Sequence, residues 1–307
     1  MQNIALIFPG QGAQKVGMGR EFYEKSPEAK AVFDKAEDIL KNGLLDATFN
    51  GPQEKLTLTA YCQPAILTFS IAALAALQNS PKFKNIKAVY SLGLSLGEYS
   101  ALIAAGALSF EDGLRLVERR SFFMEEATKL SKGKMAAVIG FAKERLQEIC
   151  ERTGAEVANY NSPEQIVITG QAEKVEAACE VIRKEGAKSV IPLDVSGAFH
   201  SSLMRPAQEK FTETLKNVSI PKPRFPVISN VTAAPEESPE HIRQNLSRQI
   251  TSSVRWEESV RFAAKNGVTT FLEVGPGTVL KGLIRKIDPN LTVQNIQKPE
   301  DIEKLSL

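Results

Sequence analysis

The chain has 307 residues, enough for a large core and more than one domain's worth of sequence. Its 43% hydrophobic and 24% charged residues are ordinary for a soluble globular protein. The net charge of +2 is too small to argue for a nucleic-acid partner, while leaving room for a local basic patch that meets an acidic one.

Residues 4–8 (IALIF) form a short continuous apolar run, the pattern of a buried parallel strand. No basic segment leads into it, so no signal peptide is expected. PGQGAQKVGMGR follows. Its glycines at 10, 12 and 17 and its glutamines at 11 and 14 suggest a loop whose backbone approaches something closely; a flexible turn is the plain alternative. The GxxxxGK(S/T) spacing of a phosphate loop is absent. Residues 20–42 predict helix, with Ser26-Pro27 opening its second part. Gln63-Pro64 then precedes a predicted helix from Ala65 to Leu77, apolar nearly all round and therefore buried. This is the longest apolar stretch, and it is too short and too rich in small and polar residues to cross a bilayer. No membrane span is expected, and the expected setting is cytoplasmic.

Lys87–Leu108 reads strand, G-x-S-x-G, helix: Gly93, Leu94, Ser95, Leu96 and Gly97 stand between a β-branched and aromatic run and an Ala/Leu-rich helix. That is the signature of a nucleophile elbow. A serine on so sharp a turn sits in strained backbone. A side chain two positions to either side would strike the adjoining strand or helix, and the two glycines remove that clash. The turn lifts the Ser95 hydroxyl and aims the first amides of the helix at the space above it, where an oxyanion would form.

An amphipathic helix is predicted near Phe110–Lys129, carrying Glu118, Arg119, Arg120 and Glu125. From Met135 to Val195 the order becomes βαββαβ, the ferredoxin-like pattern, with Asn161–Glu164 as the hairpin turn. Residues 131–196 are therefore expected to be an inserted subdomain over the elbow, with a cleft beneath it, and residues 1–130 and 197–307 the catalytic core. SGAFHSSLMRPAQEKF is a loop entering a helix. PKPRFPVISN ends in a short strand. Residues 240–266 are helical, broken near Thr251–Ser253. VTTFLEVGPGTVLKGLIRKI is a further strand, glycine turn and helix, and LTVQNI suits an edge strand. Cys62, Cys150 and Cys179 are far apart in apolar or amphipathic runs and predict free buried thiols, with no disulfide or metal role.

A serine needs a base, and the chain has only two histidines. His241 lies in a polar, acidic stretch and reads as a surface residue. His200 lies in a small-residue loop where the chain returns from the inserted subdomain, so it borders the expected cleft and is the preferred base. No acid stands out as a third member. Asp194 ends a strand, and a backbone carbonyl or amide would serve equally to hold the ring. Arg120, on an inward helix face, must pair with something: a salt bridge to Glu118, Glu125 or another core acid, or a bound carboxylate.

With these residues in place the chain resembles a known family, the malonyl-CoA:acyl-carrier-protein transacylases of fatty-acid synthesis and the related acyltransferase domains of polyketide and fatty-acid synthases. The resemblance runs from FPGQGAQKVGMG through LGLSLGEYSAL, LVERR, ANYNSPEQIVITG, GAFHSSLM and RQITSSVRW to EVGPG. It implies an α/β-hydrolase-like parallel-sheet core with an inserted ferredoxin-like subdomain. It implies transfer of a malonyl group from malonyl-CoA, through an ester on Ser95 activated by His200, to the phosphopantetheine thiol of acyl carrier protein. By the same resemblance the backbone amides of Gln11 and Leu96 form the oxyanion hole, Arg120 grips the free malonyl carboxylate, and Gln249 orients His200 through its backbone carbonyl. Phe199 would leave little room for a methyl branch. Leu94 departs from the family, which usually has histidine before the nucleophile; Glu98 is kept.

The expected enzyme uses no cofactor beyond its two substrates, holds no metal, meets neither nucleic acid nor membrane, and is a monomer. Arg205, Lys281, Arg285 and Lys286 are reasonable contacts for an acidic carrier, or simply a solvated cationic face. The alternatives are a serine esterase or thioesterase, a polyketide-pathway acyltransferase of different acyl preference, and a non-catalytic carrier-binding module.

Overall fold

A computed structural model describes residues 2–306. Among the described residues ten strands form two sheets. The larger contains β1 (Gln2–Phe8), β2 (Ile86–Gly93), β7 (Val227–Ile228), β8 (Pro235–Glu236), β9 (Thr270–Val274) and β10 (Thr292–Ile296) in the order β10-β9-β1-β2-β7-β8. Every neighbouring pair is parallel except β7 and β8. The smaller is antiparallel, with β3 (Gly133–Ile139), β4 (Glu156–Ser162), β5 (Gln165–Gln171) and β6 (Ser189–Pro192) in the order β4-β5-β3-β6. This is the α/β-hydrolase-like core with a ferredoxin-like βαββαβ insertion.

β1 lies mid-sheet, and Ile4 to Phe8 are all buried because both faces are covered. Ile4, Leu6 and Phe8 pack into the cluster of the helix Thr59–Asn79, while Ala5 and Ile7 point to the opposite layer with Trp256, Leu280 and Ile284. The tail strand β10 takes the edge, as its short apolar run suggests.

The core helix corrects two expectations. It starts at Thr59 rather than Ala65, and Pro64 lies inside it. The amides of Tyr61 and Cys62 close the first turn onto the carbonyl of Leu58, so the proline forfeits one later bond without ending the helix. At 21 residues and mean hydropathy 1.6 the helix is long and apolar enough to cross a bilayer by length and composition. Its most apolar window is 83% buried against the sheet and its neighbouring helices, which makes it a core helix.

The small sheet has two different faces. Ala136, Val138, Ile166 and Ile168 pack on the helices Lys143–Thr153 and Ala172–Lys184. Their alternates, including Met135, Ala137, Asn159 and Val167, face a cavity of about 210 Å3 that separates this sheet from the elbow.

Candidate active site

Pairing between β1 and β2 sets the floor of the cavity. The register places Phe8 beside Gly93, and the Leu94 amide continues the ladder by donating to the Phe8 carbonyl at 3.1 Å. Gln11, three residues beyond Phe8, and Ser95, two beyond Gly93, therefore emerge side by side at the carboxyl ends of parallel strands, the usual place for a ligand in such a sheet. The elbow is crowded as expected. A Cβ on Gly93 would lie 1.8 Å from the backbone carbon of Gly97, and one on Gly97 would lie 2.1 Å from the carbonyl oxygen of Phe8. Ser95 stands at φ 53°, in left-handed backbone.

His200 comes from the loop that leaves the small sheet, and that loop is tied back to the sheet: the Thr169 hydroxyl on β5 donates to the Phe199 carbonyl at 3.0 Å. The ring meets Ser95 with 2.8 Å between Nε2 and Oγ, and Nδ1 lies 2.8 Å from the backbone carbonyl of Gln249. A carbonyl only accepts, so Nδ1 carries the hydrogen and Nε2 offers its lone pair to the serine. Burial, and then the nearby Arg120 charge, pull the His200 pKa down to about 4. The ring is therefore neutral at pH 7 and able to take a proton. Asp194 is exposed and takes no part, and His241 is exposed on its helix.

Arg120 is fully buried, on the helix Phe110–Thr128. Its Nη1 donates to Gln63 Oε1 at 2.6 Å, and its Nη2 donates to Ser95 Oγ at 2.9 Å and to Gln249 Oε1 at 3.0 Å. Neither Glu118 nor Glu125 is its partner. Among the described residues it makes no ion pair at all, and its Nε has no hydrogen-bond acceptor. A buried cation served only by neutral acceptors, 2.9 Å from a nucleophile, is arranged to receive an anion. The planar guanidinium also lies over the Tyr99 ring, 5.6 Å from its centroid.

Gln11, Leu96, Leu94 and Phe199 all line the same cavity. The structure thus brings together Ser95, His200, Arg120, Gln11, Leu96 and Gln249, the six residues to which the resemblance gives a role in the reaction. Three further residues complete the setting. Asn230 accepts from the Ser95 amide and donates to the Gly93 carbonyl, each at 2.6 Å, and so pins both sides of the elbow turn. Gln63 links Arg120 to the Gln11 side chain, to which it donates at 3.2 Å. Glu98 accepts from the Gln249 side chain at 2.6 Å. Gln63 had a signal, as a glutamine beside a proline in an otherwise apolar helix. Asn230 had none. The three cysteines are buried and free, and among the described residues no cluster has the make-up of a metal site.

Comparison with known proteins agrees with this geometry. The acyl transferase domain family matches residues 5–298. A malonyl CoA-acyl carrier protein transacylase of Bacillus subtilis is 46% identical over 99% of this chain and 96% of its own length. One from Staphylococcus aureus is 40% identical over 99% and 98%. Among solved structures, an acyl-carrier-protein-S-malonyltransferase from Bartonella henselae superposes with a TM-score of 0.94 at 40% identity, covering 99% of this chain and 98% of that one. A malonyl-transacylase solved in complex with a type II PKS acyl-carrier protein gives the same TM-score at 37% identity, with the same coverage.

Proposed function

The chain belongs to the acyl transferase domain family, and within that family we propose that it carries a malonyl group from malonyl-CoA to the phosphopantetheine thiol of an acyl carrier protein, as an S-malonyltransferase of fatty-acid synthesis. The observation that carries the choice of acyl group is Arg120: a buried guanidinium beside the nucleophile, without a carboxylate of its own.

The steps follow from the distances. His200 Nε2 takes the Ser95 proton as Oγ attacks the thioester carbonyl. Negative charge develops on the carbonyl oxygen, toward the backbone amides of Gln11 and Leu96. The carbon–sulfur bond breaks, and the departing CoA sulfur takes the proton from His200. The carrier thiol then gives its proton to His200 and attacks the malonyl ester. The carbon–oxygen bond to Ser95 breaks, and Oγ recovers the proton. The Arg120 fork holds the distal carboxylate through both halves. The backbone carbonyl of Gln249 orients the His200 ring in place of a triad acid.

Incubation with malonyl-CoA should leave a malonyl adduct on Ser95 by peptide mass spectrometry, absent in Ser95→Ala; folded wild-type protein without an adduct would refute the reading. Arg120→Ala should reduce malonyl transfer far more than acetyl transfer. A second reading, delivery to a polyketide carrier, is favoured by the solved complex with a type II PKS carrier. Relative kcat/KM for the two carriers separates them. Val279 and Leu283 line the cavity from the helix Val279–Ile287, which also bears Lys281, Arg285 and Lys286, and this supports a basic rim for an acidic carrier.

A further inference from the structure

Glu98 is fully buried one turn after the nucleophile, and none of the transfer steps uses it. Its hydrogen-bond donors are neutral. Oε2 accepts from Gln249 Nε2 at 2.6 Å and from the Asn230 amide at 3.3 Å. The same Gln249 amide group donates to the Ser95 carbonyl at 3.0 Å, and its oxygen accepts from Arg120 Nη2 at 3.0 Å. A glutamine amide can turn by half a revolution about its last bond, exchanging oxygen and nitrogen. Turned, its NH2 would face the guanidinium, donor against donor, and its oxygen would face two acceptors. A carboxylate only accepts, so Glu98 makes the turned arrangement unfavourable; a neutral amide in its place could pair with either.

We propose that Glu98 is a positioning residue for acyl-group selection: its carboxylate locks the Gln249 side-chain amide with the oxygen toward Arg120, and so holds the guanidinium where a substrate carboxylate meets it. This rests on the assignment of Arg120 to the malonyl carboxylate.

A second buried acid supports the arrangement. Glu236 is 2% exposed, and its Oε1 accepts from Asn245 Nδ2 at 2.5 Å. Both acids interact with the Ser229 hydroxyl, and Glu98 Oε1 and Glu236 Oε2 have no hydrogen-bond partner among the described residues. Burial pushes both carboxyls up, and for Glu236 the neighbouring Glu98 adds to it, while Gln249, Asn230 and Arg120 pull Glu98 back. Glu98 Oε2, engaged by the Gln249 side chain and the Asn230 backbone amide, is an acceptor in this arrangement.

The test measures malonyl-CoA and acetyl-CoA transfer for Glu98→Gln. The KM for malonyl-CoA should rise about tenfold, the order expected for losing one charge-assisted hydrogen bond, with a smaller change in kcat and little change toward acetyl-CoA. Gln249→Leu removes the side-chain amide but keeps the backbone carbonyl that holds His200. Whatever its effect on kcat, it should raise the malonyl-CoA KM to a similar degree, and Glu98→Gln should add little in its background. Equal losses on both acyl groups, or an unchanged malonyl KM, overturn the proposal. If Glu98→Gln does not fold, Gln249→Leu decides alone, and a wild-type malonyl KM there overturns it. An Arg120→Ala enzyme that loses malonyl and acetyl transfer equally overturns the carboxylate assignment itself, and the proposal with it.

Discussion

The Ser95 hydroxyl and the His200 ring meet at 2.8 Å, and both residues stand in left-handed backbone, at φ 53° and 59°. Only two other non-glycine residues among those described, Lys41 and Ala233, share that conformation. Each such residue costs on the order of 1–3 kcal/mol and persists where the surroundings over-determine it. Here the surroundings are identifiable: Asn230 clasps the serine turn, and Thr169 and Gln249 hold the histidine loop.

His200→Asn separates backbone from chemistry. Asparagine tolerates left-handed φ better than most residues, so the loop should keep its shape while losing its base. Acylation of Ser95 should slow by roughly a thousandfold, with little change in thermal midpoint. Stopped-flow release of CoA together with a melting curve checks both; an acylation rate near wild type would remove His200 as the base.

The pH profile should carry the mark of burial. With its pKa drawn down to about 4 by desolvation and Arg120, His200 stays a competent base through pH 6. The acid limb of kcat/KM should lie near pH 4, where an ordinary histidine would place it near 6.5. Stability has the same sign. Below about pH 6.5 the unfolded chain binds a proton that the folded ring refuses until about pH 4. This residue's contribution is therefore complete above 6.5 and is lost as pH falls toward 4. Denaturant titrations of wild type and His200→Asn between those values should differ in slope.

Gly97→Ala should be among the most damaging single-methyl changes. The new carbon would sit 2.1 Å from the Phe8 carbonyl oxygen, and backbone cannot move aside as a side-chain tip can. A loss of about 4 kcal/mol or more, or no soluble protein, is expected. Gly12→Ala provides the contrast, since its Cβ would meet nothing within 4 Å and only its φ of 100° resists. Chemical denaturation of the two variants gives the comparison.

The parts legible in the sequence were those written locally. The elbow is a strand, a turn and a helix within some twenty consecutive residues, so its glycine spacing carries its steric logic in plain view. The βαββαβ order was legible for the same reason. His200 could be reached by elimination between two histidines. Arg120 could not be resolved from the residues alone, because whether a buried guanidinium has a carboxylate partner depends on elements distant in the chain. Asn230 reaches across 135 residues to the Ser95 amide, and no periodicity records such a contact. Proline is a common opening residue, so the sequence points to a start at Ala65, whereas the helix begins at Thr59 and carries Pro64 one turn further in.

The unpaired guanidinium of Arg120 also makes the fold a gauge of its own occupancy. A buried cation without an anionic partner lowers the stability of the empty protein, and a small dicarboxylate that enters the cavity supplies the missing charge. At a hundred times its dissociation constant, such a ligand adds about 2.7 kcal/mol to the folded state. Free malonate should therefore raise the melting temperature by a few degrees, acetate at the same ionic strength should not, and Arg120→Ala should be insensitive to both.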